Sequence, residues 1–282
     1  MSNKSNNFIP EGLTTDNHEI LQAKIADFIS ASASNIHFLF DFDRTLTVRN
    51  PKTNEDTTTW HILREHLPAD GRKQYQNLFD KYRVLEIDGT MTAFDAAEWW
   101  SSILDLFVEH KLDLAAVEQD FLDRATIRPG TTEIFQFCKE HNIPTVVMSA
   151  GIRDVIEMWD RTYGLNPSLT LSTALILDDA GVVVGWHRDT LIHALNKSET
   201  DHPELASIRR SRPKAILVGD SINDSDMASG DKDVLRIRIF DPRPDELFNI
   251  DNERQKTFLK FDAMLESGSL MPLLELTQLI VQ

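Results

Sequence analysis

Cysteine and long apolar runs are scarce in this chain, and basic residues are fewer than acidic ones. Its 282 residues include a single cysteine, Cys138, so no disulfide can form within the chain. No uninterrupted apolar run approaches the roughly 18 residues that a transmembrane helix needs. The first seven residues are polar and lack the apolar core of a signal peptide. These absences give no indication of a membrane span, and they favour a reducing, cytoplasmic location.

Acidic residues outnumber basic ones by 45 to 29, which gives a formal net charge of −16. Such a surface repels the phosphate backbone of nucleic acids, so a DNA or RNA partner is not expected. It also repels small anionic substrates. A phosphate ester would therefore need local positive charge from a metal ion, a lysine or a helix N-terminus.

Hydrophobic periodicity predicts a chain in which strands alternate with helices. Helices are predicted over 19–31, 59–67, 71–84, 92–110, 113–125, 131–141, 152–163 and 271–280. Strands are predicted over 36–40, 144–148, 215–218 and 235–240, with a hairpin formed by 169–178 and 182–187. Residues 1–18 are predicted to be a mobile or loosely docked arm.

This alternation is typical of a parallel sheet with helices on both faces. The predicted fold class is α/β, with a Rossmann-like core and a helical insertion directly after the first strand. We expect residues 1–47 and 129–282 to form the core, and residues 48–128 to form a cap over the active edge of the sheet.

Polar side chains follow four of the predicted core segments, where open α/β sheets place their ligands. Two carboxylates come directly after the buried strand 36–40, at positions i and i+2. One carboxylate there can attack an electrophile and the other can shuttle a proton, while a small hard cation can neutralise both. The four groups are Asp41 and Asp43, then Ser149-Ala150-Gly151, then Lys197, and finally Asp220 and Asp224.

The order of these groups resembles the four motifs of the haloacid dehalogenase superfamily of phosphohydrolases: D-x-D-x-T, Ser/Thr, Lys and G-D-x-x-x-D. The resemblance implies that Asp41 is a nucleophile that forms an aspartyl-phosphate, and that Asp43 is the general acid and base. It also implies that Ser149 and the Ala150 amide hold phosphate oxygens, and that Lys197 neutralises the phosphoryl group. Thr45 and Gly151 complete the predicted phosphate-binding set.

The same resemblance implies a Mg²⁺ cofactor, because several carboxylates beside an anionic phosphate need a cation that prefers oxygen ligands. The implied ligands are Asp41, Asp220 and the backbone carbonyl of Asp43. Asp224 is either a further ligand or a support for the others.

Further segments resemble the cytosolic pyrimidine 5′-nucleotidases within that superfamily. Leu191–Lys197 matches their L-I-H-x-x-N-K motif in full, and Gly219–Gly230 matches their G-D-S-x-x-D-x-x-M-A-x-G motif. Tyr82–Asp88 is similar to their Y-x-x-E-x-D segment, and Glu98-Trp99-Trp100 is similar to their E-W-[YW]. The resemblance implies that Glu86 reads the base or sugar. Trp99 or Trp100 could stack a base, and we take Trp99 as the candidate. The alternatives are a solvated acid on the cap for Glu86 and packing inside the cap for each tryptophan.

The predicted function is therefore Mg²⁺-dependent hydrolysis of pyrimidine nucleoside monophosphates such as UMP and CMP. Arg44 and Arg153 depart from the family pattern. Either could meet a different leaving group, and we favour the interpretation that both are surface residues. Three alternatives stay open: a phosphatase for phosphoserine or a sugar phosphate, a nucleoside phosphotransferase, and a non-catalytic regulatory protein that keeps the fold.

Overall fold

The computed structural model describes residues 9–242, 250–266 and 268–282. The strands are β1 Leu13–Thr14, β2 Ile36–Phe40, β3 Thr145–Ile152, β4 Leu169–Thr173, β5 Leu175–Leu177, β6 Val183–Trp186, β7 Lys214–Gly219, β8 Val234–Ile239 and β9 Ala263–Leu265. The helices are α1 His18–Ala31, α2 Thr59–Glu65, α3 Ala69–Ile87, α4 Ala93–Glu109, α5 Leu114–Arg124, α6 Thr131–Glu140, α7 Arg153–Tyr163, α8 Pro203–Ser211, α9 Ile250–Lys260 and α10 Met271–Val281.

Seven strands form one sheet in the order β1-β9-β8-β7-β2-β3-β4. β2 pairs with β7 in parallel, and the register sets Phe40 opposite Val218. β7–β8 and β8–β9 are also parallel, whereas β1 runs antiparallel to β9 at the edge. All five residues of β2 are buried, as expected for a strand covered on both faces.

The chain divides into two compact units. The first contains Met1–Phe40, Arg128–Val146 and Ser198–Gln282. In this unit α10 packs against α1 and α6. The Phe40 ring stacks on those of Phe38 and Phe135, at centroid distances of 5.1 and 5.3 Å.

The second unit contains Asp41–Ile127 and Val147–Lys197. Helix α3 packs along α4, and α4 packs against β6. The fully buried Trp159 ring lies edge-on to Phe42 and Phe121, at 5.3 and 4.7 Å between centroids. No helix in the described ranges has the length and apolarity that crossing a membrane requires.

The predicted α/β fold class is confirmed by this mostly parallel sheet and its helices. The predicted helices differ from the observed ones by at most three residues at either end. Helix α4 begins with a capping box, in which the Thr92 side chain accepts from the Asp95 N–H and the Asp95 side chain accepts from the Thr92 N–H. The core and cap boundaries at residues 47, 48, 128 and 129 stay predictions.

Three local predictions were wrong. The strand expected to end at Met148 continues to Ile152. The single strand expected over 169–178 is two strands, β4 and β5. The chain leaves the main sheet between them, because the Leu175 N–H donates to the Asp154 carboxylate. The expected arm over 1–18 contains β1, which pairs with β9, while the first eight residues lie outside the described ranges.

Candidate active site

Asp41 is held through both of its carboxylate oxygens. The Lys197 Nζ lies 2.6 Å from Oδ1, and the two side chains are only 4% and 6% exposed. The Thr45 hydroxyl donates to Oδ2 at 3.0 Å. The chain turns sharply here, because the Phe42 carbonyl accepts from Thr45, Leu46 and Thr47 N–H groups. Two predicted site residues, Thr45 and Lys197, therefore converge on the predicted nucleophile.

Arg44 occupies the middle of this turn and is not the surface residue that the sequence suggested. It is 7% exposed, and its backbone takes the left-handed conformation at φ 67°. Its N–H donates to the Thr47 hydroxyl at 2.8 Å, which stabilises a conformation that most side chains disfavour. Arg153 is half-buried.

Asp43 is held by Thr59, a residue that sequence reasoning missed. The Thr59 N–H donates to Oδ1 at 2.8 Å, and its hydroxyl lies 2.7 Å from Oδ2. Thr59 is the first residue of α2, so its N–H has no partner within the helix and can serve a group outside it. The only available signal was that orphan donor, and the sequence says nothing about which group receives it.

The end of β3 brings Ser149, Ala150 and Gly151 to the same place. The Gly151 N–H donates to the Ser149 hydroxyl at 3.0 Å. A Cβ at Gly151 would lie 2.8 Å from Asp43 Oδ2, so only glycine fits without a shift. The Ala150 carbonyl accepts two indole N–H groups, from Trp60 at 3.2 Å and Trp100 at 2.9 Å.

The segment Leu191–Lys197 is a loop stabilised by its own side chains. The Asn196 amide donates to the Leu191 carbonyl at 2.9 Å, and the Asn196 side-chain oxygen accepts from the His193 N–H at 2.7 Å. These bonds explain the asparagine of the motif, because they fix the loop that presents Lys197. Burial lowers the pKa of His193, and its Nδ1 accepts from the Leu195 N–H at 3.2 Å, which is consistent with a neutral ring.

Asp220 and Asp224 belong to the first unit and follow β7. Asp224 is 2% exposed, and its carboxylate accepts from the Ser221 N–H at 2.9 Å in a capping box. The Asp220 carbonyl accepts from the Arg238 guanidinium at 2.9 Å. These aspartates are the residues that could hold a divalent cation.

The cap residues predicted to read the substrate lie on α3 and α4. Glu86 forms an ion pair with the buried Arg83, one turn earlier on α3. Trp99 is buried in the packing between the helices, with its ring 5.7 Å from Tyr82 and 6.0 Å from Phe79. The next residue, Trp100, is the one that reaches β3. The predicted binding roles of Glu86 and Trp99 stay predictions.

Solved structures show which known fold this chain shares. The structure of cytosolic 5′-nucleotidase IIIB bound to cytidine superposes with a TM-score of 0.81 at 24% identity, covering 96% of this chain and 94% of that chain. A substrate-bound phosphoserine phosphatase superposes with a TM-score of 0.56 at 19% identity, covering 86% and 97%. The chain therefore has the fold of the haloacid dehalogenase hydrolases.

Sequence comparison gives the family. The pyrimidine 5′-nucleotidase (UMPH-1) model matches residues 44–271. The 7-methylguanosine phosphate-specific 5′-nucleotidase A of Xenopus laevis is 30% identical over 245 residues, which cover 81% of this chain and 83% of that protein. The chain belongs to the pyrimidine 5′-nucleotidase (UMPH-1) family and is a phosphoric monoester hydrolase. The resemblance to this family that the sequence motifs indicate is thereby confirmed.

Proposed function

We propose that this protein hydrolyses pyrimidine nucleoside 5′-monophosphates, UMP and CMP, to nucleoside and phosphate in the cytosol, with Mg²⁺ as cofactor. The observation that carries the proposal is the environment of Asp41, a buried carboxylate held at both oxygens by Lys197 and Thr45. A fixed carboxylate beside one lysine is suited to attack a phosphorus atom whose oxygens that lysine neutralises.

Two displacements at phosphorus account for the reaction. In the first, an Asp41 oxygen bonds to phosphorus, the bond from phosphorus to the nucleoside 5′-oxygen breaks, and Asp43 gives its proton to that oxygen. In the second, Asp43 takes a proton from water, the water oxygen bonds to phosphorus, and the bond to Asp41 breaks. Proton transfer of this kind contributes on the order of 10²–10⁴-fold to the rate.

The donor set fits a hard divalent cation, because the candidate ligands are all oxygens. Asp41, Asp220 and the Asp43 carbonyl would bind the ion, and Asp224 would bind it or support the other ligands. Bound Mg²⁺ supplies positive charge that offsets the phosphate and the surrounding carboxylates. In the same proposal the Ser149 hydroxyl and the Ala150 amide hold phosphate oxygens, with Gly151 allowing their close approach.

Substrate choice is assigned to the cap, residues 48–128. Glu86 is positioned for this by Arg83, whose guanidinium holds one carboxylate oxygen and leaves the other able to accept the exocyclic amine of cytosine. Trp99 remains the candidate for base stacking, with Trp100 as the alternative because its indole already reaches β3.

A second candidate substrate is 7-methylguanosine monophosphate. This candidate is favoured by the similarity to the 7-methylguanosine phosphate-specific 5′-nucleotidase A of Xenopus laevis. A methylated guanine carries positive charge, so it would suit a site that combines a carboxylate with aromatic rings.

The test measures phosphate release from UMP, CMP, AMP, GMP, 7-methylguanosine monophosphate, phosphoserine and sugar phosphates, with Mg²⁺ and with EDTA. We expect metal-dependent release led by UMP or CMP, and no turnover by a folded Asp41→Asn variant. Release led by 7-methylguanosine monophosphate would select the second candidate, and release led by phosphoserine or a sugar phosphate would discard the cap assignment. Phosphorylation of an added nucleoside would indicate phosphotransfer, and no release from any compound would favour a regulatory role.

Glu86→Ala tests the cap separately. We expect it to change the ratio of kcat/KM between CMP and UMP, because only cytosine has the exocyclic amine. An unchanged ratio would remove Glu86 from recognition.

A further inference from the structure

Thr59 makes three hydrogen bonds that together fix one carboxylate. Its N–H and its hydroxyl donate to the two different oxygens of Asp43, at 2.8 and 2.7 Å. The Ile152 N–H donates to the same Thr59 hydroxyl oxygen at 3.2 Å. Thr59 and Ile152 are both fully buried, so these bonds form away from water.

The third bond gives the hydroxyl a direction. A hydroxyl has one proton to donate and two lone pairs that accept. Because the Ile152 N–H occupies one lone pair, the hydroxyl proton is left free to point to Asp43 Oδ2. The Asp43 side chain is then held at both oxygens, which fixes both of its side-chain torsions.

We infer that Thr59 is the positioning residue of Asp43, and that it aims this carboxylate at the oxygen of the leaving group. The inference rests on the proposed function, in which Asp43 is the general acid. Thr59 acts through Asp43 and has no assigned contact with substrate. Gly151 leaves room for this contact, because a side chain at that position would meet both the Thr59 hydroxyl and Asp43.

The position of Thr59 in the chain links the orientation of the Asp43 carboxylate to the start of helix α2. Thr59 begins α2, the first helix after the segment that leaves the Asp41–Thr47 turn. The orientation of the acid therefore depends on where this helix begins, 16 residues beyond Asp43. A displacement of about 1 Å in a catalytic group can cost on the order of 100-fold in rate.

The experiment compares Thr59→Val and Thr59→Ser with the wild-type enzyme. Each protein is assayed with Mg²⁺ and two substrates. Valine keeps the shape and loses the hydroxyl, whereas serine keeps the hydroxyl. Thr57→Val is the matched control, because Thr57 is also buried and donates its hydroxyl to the Val48 carbonyl at 2.6 Å, away from Asp43. Thr59→Ala replaces the valine variant if valine prevents folding.

The two substrates are the nucleotide that the wild-type enzyme hydrolyses fastest and p-nitrophenyl phosphate. The nucleoside 5′-alkoxide needs a proton as it leaves, but p-nitrophenolate does not. We expect Thr59→Val to slow the first-turnover release of nucleoside by about 100-fold with little change in KM. The first-turnover release of p-nitrophenol should stay close to the wild-type rate, and Thr59→Ser and Thr57→Val should resemble wild type with both substrates.

Equal losses with both substrates would show that Thr59 only supports the structure, and would overturn the inference. So would a Thr57→Val variant that is as slow as Thr59→Val, or a Thr59→Val variant that is as fast as wild type. Failure of the proposed phosphate hydrolysis looks different, because the wild-type enzyme would then release phosphate from neither substrate.

Discussion

Replacing Lys197 with methionine removes the cationic half of an ion pair that is almost entirely excluded from water. The Lys197 Nζ and Asp41 Oδ1 are 2.6 Å apart, and both side chains are more than nine-tenths buried. At an effective dielectric constant of about 20, Coulomb's law gives an attraction of about 6 kcal/mol at this distance. Methionine also avoids the cost of burying an ammonium group. We therefore expect a net loss of about 3–5 kcal/mol in the free energy of unfolding, typical of a buried charge left without its partner.

A second pair in the same unit provides a matched control. Arg161 and Glu118 are also 2.6 Å apart, but their side chains are 57% and 58% exposed. Water and salt screen such a pair, so Arg161→Met should cost less than about 1 kcal/mol. The two pairs have the same separation and both variants introduce methionine, but the pairs differ in burial.

Urea unfolding in EDTA, followed by circular dichroism and tryptophan fluorescence, measures both losses. Adding Asp41→Asn to Lys197→Met should recover much of the stability, because the buried negative charge that Lys197 offsets is then removed as well. Equal losses for Lys197→Met and Arg161→Met would refute the reasoning. So would a double variant no more stable than Lys197→Met alone.

Three further predictions concern other parts of the molecule. Burial lowers the pKa of His37 to about 4, whereas the unfolded chain takes up this proton near 6.5. The contribution of neutral His37 to the free energy of unfolding should be complete above pH 6.5 and fall by roughly 3 kcal/mol towards pH 4. Urea unfolding at several pH values measures this fall, which His37→Asn should reduce. An unchanged pH dependence in that variant would contradict the assignment. Trp100→Phe keeps a ring but loses one of the two indole N–H groups that donate to the Ala150 carbonyl. We expect kcat for the nucleotide to fall by about tenfold, less than for loss of a direct phosphate donor. A wild-type kcat would show that this bond does not order β3. Asp220→Asn should raise the Mg²⁺ concentration for half-maximal activity by at least about tenfold. Asp226→Asn should not, because Asp226 is exposed and pairs with Lys260. Equal shifts of the two variants in a Mg²⁺ titration would remove Asp220 from the metal site.

Much of the fold could be predicted because its signals are local. The five buried residues of β2 form an uninterrupted apolar run, and Asp41 and Asp43 follow it directly. Helix α4 begins where Thr92 and Asp95, three residues apart, exchange hydrogen bonds. In such cases the partners lie within one helical turn or one strand, so the spacing of residue types is enough.

The sequence also placed the four groups of candidate site residues at the ends of predicted core segments, but it did not show which ones touch. Asp41 and Lys197 are 156 positions apart, and their contact depends on the path of the chain between them. The choice between Trp99 and Trp100 is similar. Adjacent helical residues point about 100° apart, and only the packing of α3 on α4 shows that Trp99 is enclosed while Trp100 reaches Ala150.

The sequence by itself thus determined the alternation of strands and helices, the acidic turn after β2 and the family to which the chain belongs. Only the tertiary structure decided that β1 pairs with a strand some 250 residues away, that the run 169–178 divides, and that Thr59 holds Asp43. The physical reason is the range of the interactions. Periodicity and capping involve residues that are near neighbours in the sequence. The sequence does not show which acceptor a hydrogen-bond donor such as the Thr59 hydroxyl meets, because only packing brings the two together.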